Sequence, residues 1–579
     1  MSGYCILATS LSTTREKVAW LAAALGLAAA AVFAVLWLRR PVPPAPPALR
    51  LTLLPVEGGA VDAFSLSPDG RRLAFPFTRE GRTLVWIREL REETAKPVEG
   101  TEDASPEEAP MWSPDSRELL FFARGRLCRV AISGGTPVVL TEAAEVNGAA
   151  WSADGTILYT PTARGGLCRV PGVKVREPRT GEEELGLRRP QFLPDGRHFI
   201  YVAVKRPAEA SVVYLASLDD GSTRPLMTSS SQVQYVPGWM LFVRDERLFA
   251  RPFDEARLAF TGDAVLVASP VGDVPACHRA QFSASRDGLL AFSASELREN
   301  ELVWTDRSGR RLSVCGTPGH YSSVDISPDG RRVLVSNREG RTSDVWVLDA
   351  ATGTATRLSE GNGVESNRLP VWGPDGTSVA WANTQADGRQ NITVKRPGRA
   401  LELVWPERGG FPYPLAWSGG DLLLYFDSLP KAVRSGVWRM PIESRTPVPT
   451  IEPAQRVETA ALSPDGQCLA AAGGGLFLVS AKGLTQVTGA PAAFPRWRRD
   501  GKELYFWSTG TSELMVVPVI GCKAGEPQAL FPVRLNRSVL SRPFDVSPDG
   551  TQFLHIEPVA VAGGTSMTVG VNWTGLIHR

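Results

Sequence analysis

The chain has 579 residues, 43% hydrophobic and 21% charged, which is enough for several globular domains with buried cores. Its 63 basic and 61 acidic residues leave a formal net charge of +2. Because phosphate binding requires a concentrated basic face, this balance argues against nucleic acid as a partner. Seven cysteines without CxxC spacing argue against a disulfide scaffold, and we interpret Cys128 and Cys168 as buried small hydrophobic residues.

The first 50 residues predict a membrane anchor. Val18–Leu38 is an uncharged run of the length that spans a bilayer as one helix, so residues 1–17 become a short cytoplasmic tail. The proline-rich residues 39–50 predict an extended, semi-rigid linker. A cleaved signal peptide is the alternative, although the apolar run is longer than a typical signal peptide core. Basic residues flank both ends of the run, so charge leaves its orientation open.

One phrase recurs from residue 60 onward: an apolar triplet, a Ser-Pro-Asp-Gly turn and a short apolar strand. The clear copies carry a turn aspartate at Asp69, Asp115, Asp154, Asp195, Asp287, Asp329, Asp375, Asp465, Asp500 and Asp549. Degenerate copies surround Trp239 and Trp417, which gives twelve copies at a mean spacing of about 44 residues. Proline presets the first corner of such a turn, aspartate accepts backbone N–H bonds, and glycine supplies positive φ. Each aspartate is therefore predicted to hold a turn between two strands.

Each copy continues with further short, β-branched or aromatic strands, as expected of a four-stranded propeller blade. We predict an all-β fold of tandem β-propellers with about twelve blades, six in residues 51–299 and six in residues 300–579, while a seven-plus-five division stays open. Tryptophans directly before the turns are interpreted as packing between blades. Met567–Trp573 is predicted as the third strand of the last blade, with the amino-terminal Leu51–Leu54 as its fourth.

The repeated phrase resembles the TolB-type propeller repeat over nearly all of residues 50–579. The anchor with its linker, the mid-chain ENELVWTDRSGRRLSVCGTPGHYSSVDISPDG and the final MTVGVNWTGLIHR are similar to the sensor half of bacterial receptor-like Ser/Thr protein kinases. That resemblance implies an amino terminus inside the cytoplasm and propellers outside it. Only 17 residues precede the anchor, and the Gly-rich loop, His-Arg-Asp and Asp-Phe-Gly motifs do not occur, so the resemblance implies a sensor without its kinase.

No motif for catalysis stands out. The sequence has no Gly-x-Ser-x-Gly elbow, and its five histidines have no metal-ligand spacing, so we predict no catalytic residue, cofactor or metal. By analogy, propellers bind partners at the channel mouth, through loops that lead into the inner strands. The candidate mouth residues on such loops are His320, Tyr321, Asn367, Arg368, Phe411 and Tyr413.

The sequence thus predicts a single-pass inner-membrane protein whose propellers lie in the periplasm or otherwise outside the cytoplasm. Its expected role is that of a non-catalytic sensor or binding module for an envelope protein or peptide, with readout by a separately encoded kinase. Two alternatives stay open: a propeller enzyme with an unrecognised channel-mouth site, and the sensor part of a receptor kinase whose true start lies upstream.

Overall fold

The structure is a computed structural model, and the part of it described below covers most of the chain. The described residues are 18–30, 49–53, 61, 63–79, 82–106, 108–143, 147–162, 165–179, 184–205, 210–274, 278–294, 299–340, 342–359, 365–385, 389–405, 411–427, 436–450, 457–509, 511–533, 535, 542–559 and 567–576. The chain divides into two compact units, Met1–Ala48 and Leu49–Arg579.

In the first unit, the described residues form a helix over 18–30. The remaining residues of the predicted membrane span, 31–38, lie outside the described residues. Within the described part, no helix combines the length and the apolar composition that crossing a membrane requires.

The second unit is built from short strands and ends in a 3-10 helix at Trp573–Leu576. In chain order the first half of the strands are β1 Leu49–Leu53, β2 Ser65–Leu66, β3 Arg72–Arg79, β4 Arg82–Glu89, β5 Ala95–Pro97, β6 Met111–Trp112, β7 Glu118–Ala123, β8 Arg126–Ala131, β9 Val138–Glu142, β10 Ala149–Trp151, β11 Ile157–Tyr159, β12 Leu167–Arg169, β13 Val173–Arg176, β14 Gly186–Phe192, β15 His198–Val204, β16 Val212–Ser217, β17 Thr223–Thr228, β18 Gln234–Val236, β19 Trp239–Arg244, β20 Arg247–Asp254, β21 Ala259–Phe260, β22 Val265–Ala268, β23 Asp273–Val274, β24 Arg279–Ala280, β25 Phe282–Ala284 and β26 Leu289–Phe292.

The second half continues in the same pattern. These strands are β27 Asn300–Asp306, β28 Arg311–Val314, β29 Tyr321–Ile326, β30 Arg332–Glu339, β31 Thr342–Asp349, β32 Ala355–Arg357, β33 Ser366–Trp372, β34 Val379–Thr384, β35 Gln390–Lys395, β36 Glu402–Leu403, β37 Phe411–Ser418, β38 Asp421–Asp427, β39 Gly436–Pro441, β40 Val448–Pro449, β41 Val457–Leu462, β42 Leu469–Gly473, β43 Leu476–Ser480, β44 Gly483–Thr488, β45 Ala492–Trp497, β46 Glu503–Ser508, β47 Glu513–Ile520, β48 Lys523–Ala524, β49 Gln528–Pro532, β50 Phe544–Val546, β51 Gln552–Pro558 and β52 Met567–Val571.

Apart from the β23–β24 pair, the described strands form twelve antiparallel sheets of four or five strands, which confirms an all-β fold built from propeller blades. We number them from the inner strand outward: blade 1 is β2–β5, blade 2 β6–β9, blade 3 β10–β13, blade 4 β14–β17, blade 5 β18–β22, blade 6 β25, β26, β52 and β1, blade 7 β29–β32, blade 8 β33–β36, blade 9 β37–β40, blade 10 β41–β44, blade 11 β45–β49, and blade 12 β50, β51, β27 and β28. We call blades 1–6 the first ring and blades 7–12 the second ring.

Both rings close with strands that are distant in sequence. In blade 6 the amino-terminal β1 pairs with the carboxy-terminal β52, which confirms the predicted exchange between the chain ends. However, β52 also pairs with β26, at Leu289–Phe292, and not with β51, the strand that precedes it in the sequence. Strand β51 pairs with β27 instead, along Asn300–Asp306. Thus the prediction that residues 300–579 form the second propeller is wrong at its end: the second ring is inserted into blade 6, and Met567–Val571 returns to the first ring.

The second strand of each blade is apolar without alternation because another blade packs on each of its faces. In blade 2, Leu119 and Phe121 pack with blade 1, whereas Leu120 and Phe122 pack with blade 3. All four side chains are almost fully buried. A single blade cannot cover both of its faces, so stacking is what stabilises each one.

The Ser-Pro-Asp-Gly turns join the inner strand of a blade to its second strand. In blade 7 the Ser327 hydroxyl donates to Asp329, whose carboxylate also accepts from the Arg331 N–H, and Gly330 has a φ of 73°. These bonds favour the charged carboxylate and lower the pKa of Asp329 below its usual value, the Ser327 hydroxyl contributing most. The same backbone N–H bond, from the residue two positions later, reaches nine of the ten turn aspartates, Asp287 being the exception.

Candidate functional site

The inner strands of neighbouring blades are joined by a repeated hydrogen bond. Its acceptor lies on the residue four positions before the turn aspartate. We call the place of that residue in each repeat the bridging position. At four polar bridging positions the side chain accepts a bond from a backbone N–H of the next blade, whereas Ser65 in blade 1 donates to the Pro110 carbonyl. The observed bonds are Leu66 N to Ser283 Oγ at 2.9 Å, Tyr235 N to Gln191 Oε1 at 2.7 Å, Trp372 N to Asp325 Oδ2 at 2.8 Å, and Ile326 N to Asp545 Oδ2 at 2.6 Å. The side chain at the bridging position therefore determines whether the junction between two inner strands is neutral or charged.

The tryptophans before the turns add a second kind of bond between neighbouring blades, again donated by the later blade to the bridging residue of the blade before it. The indole N–H groups of Trp112, Trp372 and Trp497 each donate to the carbonyl of the bridging residue in the preceding blade, at 3.0–3.2 Å. Their rings lie between blades, which is the packing role that their shared register predicted.

In the second ring, three bridging positions are charged: Asp325 in blade 7, Arg496 in blade 11 and Asp545 in blade 12. These blades are consecutive around the ring, so the three side chains meet near its axis. Arg496 Nε lies 3.6 Å from Asp545 Oδ1. This cluster was not predicted from the sequence, although the bridging positions of the clear repeats place three charged residues in three neighbouring blades.

Arg542, just before the inner strand of blade 12, crosses the axis of the second ring. One of its terminal nitrogens donates to Asp325 at 3.1 Å and to the Pro370 carbonyl at 2.6 Å. The other donates to the carbonyls of Pro414 and Leu415, at 3.1 and 3.2 Å, in blade 9 on the opposite side of the ring. A single guanidinium thus ties blades 7, 8, 9 and 12 together and closes the centre of the ring.

Burial sets the protonation of this cluster. It raises the pKa of Asp545 to about 6, with the nearby Asp325 charge adding to the effect. Burial also raises the pKa of Asp325, in opposition to the neighbouring Arg542. For Arg496, burial and then the Arg542 charge lower the pKa to about 10. Each carboxyl therefore takes up its proton at a higher pH than an exposed aspartate does.

A recess opens beside Arg542 among the inner strands of blades 8 to 11, and we call it the axial pocket. It is lined by Leu369, Tyr413, Pro414, Leu415, Tyr425, Thr459, Ala460, Phe494, Arg496 and Arg542. The recess contains about 400 Å³ of space, part of which is open to solvent. Its walls are mainly apolar and aromatic, and its polar side carries two arginines, a composition typical of small binding sites.

The axis of the first ring has a different composition. Its bridging positions include Gln191, which accepts from the Tyr235 N–H and donates to the Tyr235 carbonyl. Its charged pair there, Arg189 with Glu108, links blade 4 to blade 2, and both side chains are nearly buried.

The six candidate mouth residues lie at the starts of three successive inner strands of the second ring, but not all on exposed loops. His320 and Tyr321 are half-buried, and the Tyr321 hydroxyl donates to the Thr317 carbonyl. Asn367 is buried and accepts bonds from Trp381 and Asn383. Half-buried Arg368 donates to its own strand neighbour Ser366.

The remaining two candidates, Phe411 and Tyr413, belong to the hydrophobic core between blades 8 and 9. The expectation that these aromatic residues are exposed on loops is wrong, because the inner strand of blade 9 begins at Phe411 and packing covers both rings. Of the six candidates, Tyr413 lines the axial pocket.

A disulfide joins Cys468 of blade 10 to Cys522 of blade 11, with 5.5 Å between the Cα atoms. The sequence did not reveal this pair, because the two cysteines occupy different positions in their repeats. Cys128 and Cys168 are free and buried. In the part of the chain that the structure describes, no three His, Cys, Asp or Glu side chains group as a metal site would.

No family model matches the chain, and no curated protein sequence matches it. Among solved structures, the chain is similar to a putative TolB from Agrobacterium tumefaciens, with 18% identity, 46% of this chain and 99% of that chain covered, and a TM-score of 0.36. It is also similar to TolB from Acinetobacter baumannii, with 14% identity, coverages of 73% and 82%, and a TM-score of 0.25. A GH74 enzyme from Niastella koreensis shares 13% identity over 87% of this chain and 91% of that chain, with a TM-score of 0.30.

Proposed function

We propose that the chain is a membrane-anchored sensor that binds a protein or peptide segment at the axial pocket of the second ring and has no catalytic activity of its own. The axial pocket carries this proposal. It is concave, it lies at the centre of a rigid ring, and Tyr413, Phe494 and Leu415 give it the apolar walls that hold a bound side chain.

We further propose that the rings lie outside the cytoplasm of a bacterial cell, joined to the inner membrane through residues 18–38. The Cys468–Cys522 disulfide supports this compartment, because structural disulfides persist in oxidising environments and are rare in the cytosol. The resemblance to receptor-kinase sensors supports the same orientation, with the amino terminus in the cytoplasm and the rings outside it. It also supports a separately encoded kinase that responds when the rings bind their partner. Alkylation of free thiols in intact cells tests the compartment: the disulfide pair should stay unlabelled until a reductant is added.

The binding proposal is tested with the full chain in detergent micelles and a library of short peptides. Leu415→Trp fills the pocket and should weaken selected peptides at least tenfold, whereas Leu403→Trp, on the exposed outer strand of blade 8, should leave affinity unchanged. If Leu415→Trp does not fold, Leu415→Ala replaces it and should weaken binding several-fold. Equal affinities for the pocket variant and its control, or no binding of any peptide, would overturn the proposal.

A further inference from the structure

We propose that the axial pocket recognises the carboxy-terminal carboxylate of a peptide, with Arg496 as the residue that binds it. This inference rests on the proposed function, because it names the chemical group that the pocket selects. Two arginines line the pocket, and their different hydrogen bonding decides between them.

The guanidinium of Arg542 is already hydrogen-bonded within the protein. Its two terminal nitrogens donate to one carboxylate and three main-chain carbonyls at 2.6–3.2 Å, so a ligand would have to displace bonds that hold four blades together. Its side chain is about 3% exposed, which leaves little surface for a ligand. Arg542 therefore forms a fixed wall of the pocket.

Arg496 is bonded differently. One terminal nitrogen donates to the carbonyl of the preceding residue, Pro495, at 2.7 Å. Its Nε is buried and donates no hydrogen bond to any residue that the structure describes. The nearest carboxylate, Asp545, is 3.6 Å away, which is an ion pair without a hydrogen bond. A buried guanidinium with an unused donor is costly, and it favours an incoming acceptor.

The neighbouring carboxylates are held away from Arg496 by the backbone. Asp545 accepts the Ile326 N–H on one oxygen and its own neighbour's Val546 N–H on the other. Asp325 accepts the Trp372 N–H and the Arg542 guanidinium. Both carboxylates therefore have other hydrogen-bond donors, and the Arg496 Nε–H donates to neither of them.

A carboxylate is the acceptor that fits this donor. Its two oxygens match the planar guanidinium and form the shortest and strongest class of protein hydrogen bond. The apolar walls beside Arg496, formed by Tyr413, Phe494 and Leu415, would receive the last side chain of the peptide. A free carboxylate of the main chain occurs only at the end of a peptide, so this recognition favours a chain terminus over a continuous strand.

The test compares one selected peptide in two forms, a free acid and a carboxamide, by calorimetry on the full chain in detergent micelles. The free acid should bind at least tenfold more tightly than the amide. Arg496→Gln should bring the ratio of the two affinities close to one while amide binding persists. Arg498→Gln is the matched control, since Arg498 pairs with Asp500 at the turn and lines no part of the pocket, and it should keep the ratio.

The outcomes separate the two proposals. Equal binding of acid and amide by the unchanged protein overturns the carboxylate inference and leaves peptide binding standing. Absence of binding by both forms overturns the proposed function as well. If Arg496→Gln does not fold, Arg496→Lys decides: a ratio reduced several-fold supports bidentate recognition by the guanidinium, and an unchanged ratio contradicts it.

Discussion

The two rings use different side chains at the bridging position to accept the backbone N–H groups of the next blade. In the first ring, the Gln191 amide both accepts from and donates to the next strand at Tyr235, and it carries no charge. In the second ring, half-buried Asp325 and buried Asp545 accept the corresponding N–H groups, and each carboxylate then requires a cation nearby. Arg542 supplies one cation by spanning the ring. The Gln191 amide bonds only to the neighbouring blade. The charged Asp325 is instead paired with Arg542, which also bonds to blades 8 and 9.

This difference predicts the largest effect for Arg542→Leu. The substitution leaves the half-buried Asp325 carboxylate without its partner and removes donors from three carbonyls, so we expect a loss of about 3 kcal/mol in unfolding free energy. Urea unfolding measures the loss, and hydrogen exchange should place it in blades 7 to 9 and 12. Adding Asp325→Asn should recover part of the stability. A loss below about 1 kcal/mol would contradict the structural role of the crossing arginine.

The disulfide should make the stability of the second ring sensitive to reductant. It closes a sequence separation of 54 residues within the second ring, so Cys468→Ala combined with Cys522→Ala should cost about 2–4 kcal/mol. Reduction with dithiothreitol should destabilise the unchanged protein by a similar amount and leave the double variant unaffected. Equal sensitivity of both proteins to reductant would show that this pair does not form.

Acid should weaken the second ring through His555 in blade 12. Burial, and then the Arg311 charge, lower the pKa of this histidine to about 4. Between the unfolded pKa of about 6.5 and the folded value of about 4, the unfolded chain binds more protons, so stability falls as the pH falls, by at most about 3 kcal/mol. His555→Phe removes this titration. The stability of the variant relative to the unchanged protein should rise from pH 7.5 to pH 4.5, and parallel pH profiles would contradict the assignment.

The smallest effect is expected in the first ring. Gln191→Leu leaves the Tyr235 N–H and carbonyl without their partner, but it buries no unpaired charge, and we expect a loss of about 1–2 kcal/mol. Gln191→Glu places a carboxylate at a bridging position where the side chain bonds only to the Tyr235 backbone, and it should cost more than the leucine substitution at pH 8. The opposite order of the two variants would show that the first ring tolerates a negative charge at this position.

Local features of the fold were predictable from the repeat. Ser327, Asp329 and Gly330 occupy a turn that their own side chains and backbone freedom specify, and the twelve copies lie in twelve sheets. The pairing of the two chain ends was predictable too, because an incomplete last blade needs a fourth strand. The insertion of the second ring into blade 6 was not, since the local sequence of a third strand does not specify the distant second strand with which it pairs.

The candidate site likewise contains a residue that was predicted from the sequence and residues that were not. Tyr413 was selected from the sequence and lines the pocket, but as a core residue at the start of a strand and not as an exposed loop side chain. Arg496 and Arg542 were missed because an isolated arginine in a repeat has the appearance of a surface residue. Their burial depends on which blades surround them.

The sequence by itself determined the blades, since turns and strand periodicity are local properties that each repeat of about 44 residues encodes. Tertiary structure decided the connection between the rings, the Cys468–Cys522 pair and the charged axis of the second ring. These features join residues that lie far apart along the chain, and their energies arise from burial and from charge pairing that exist only once both partners are in place.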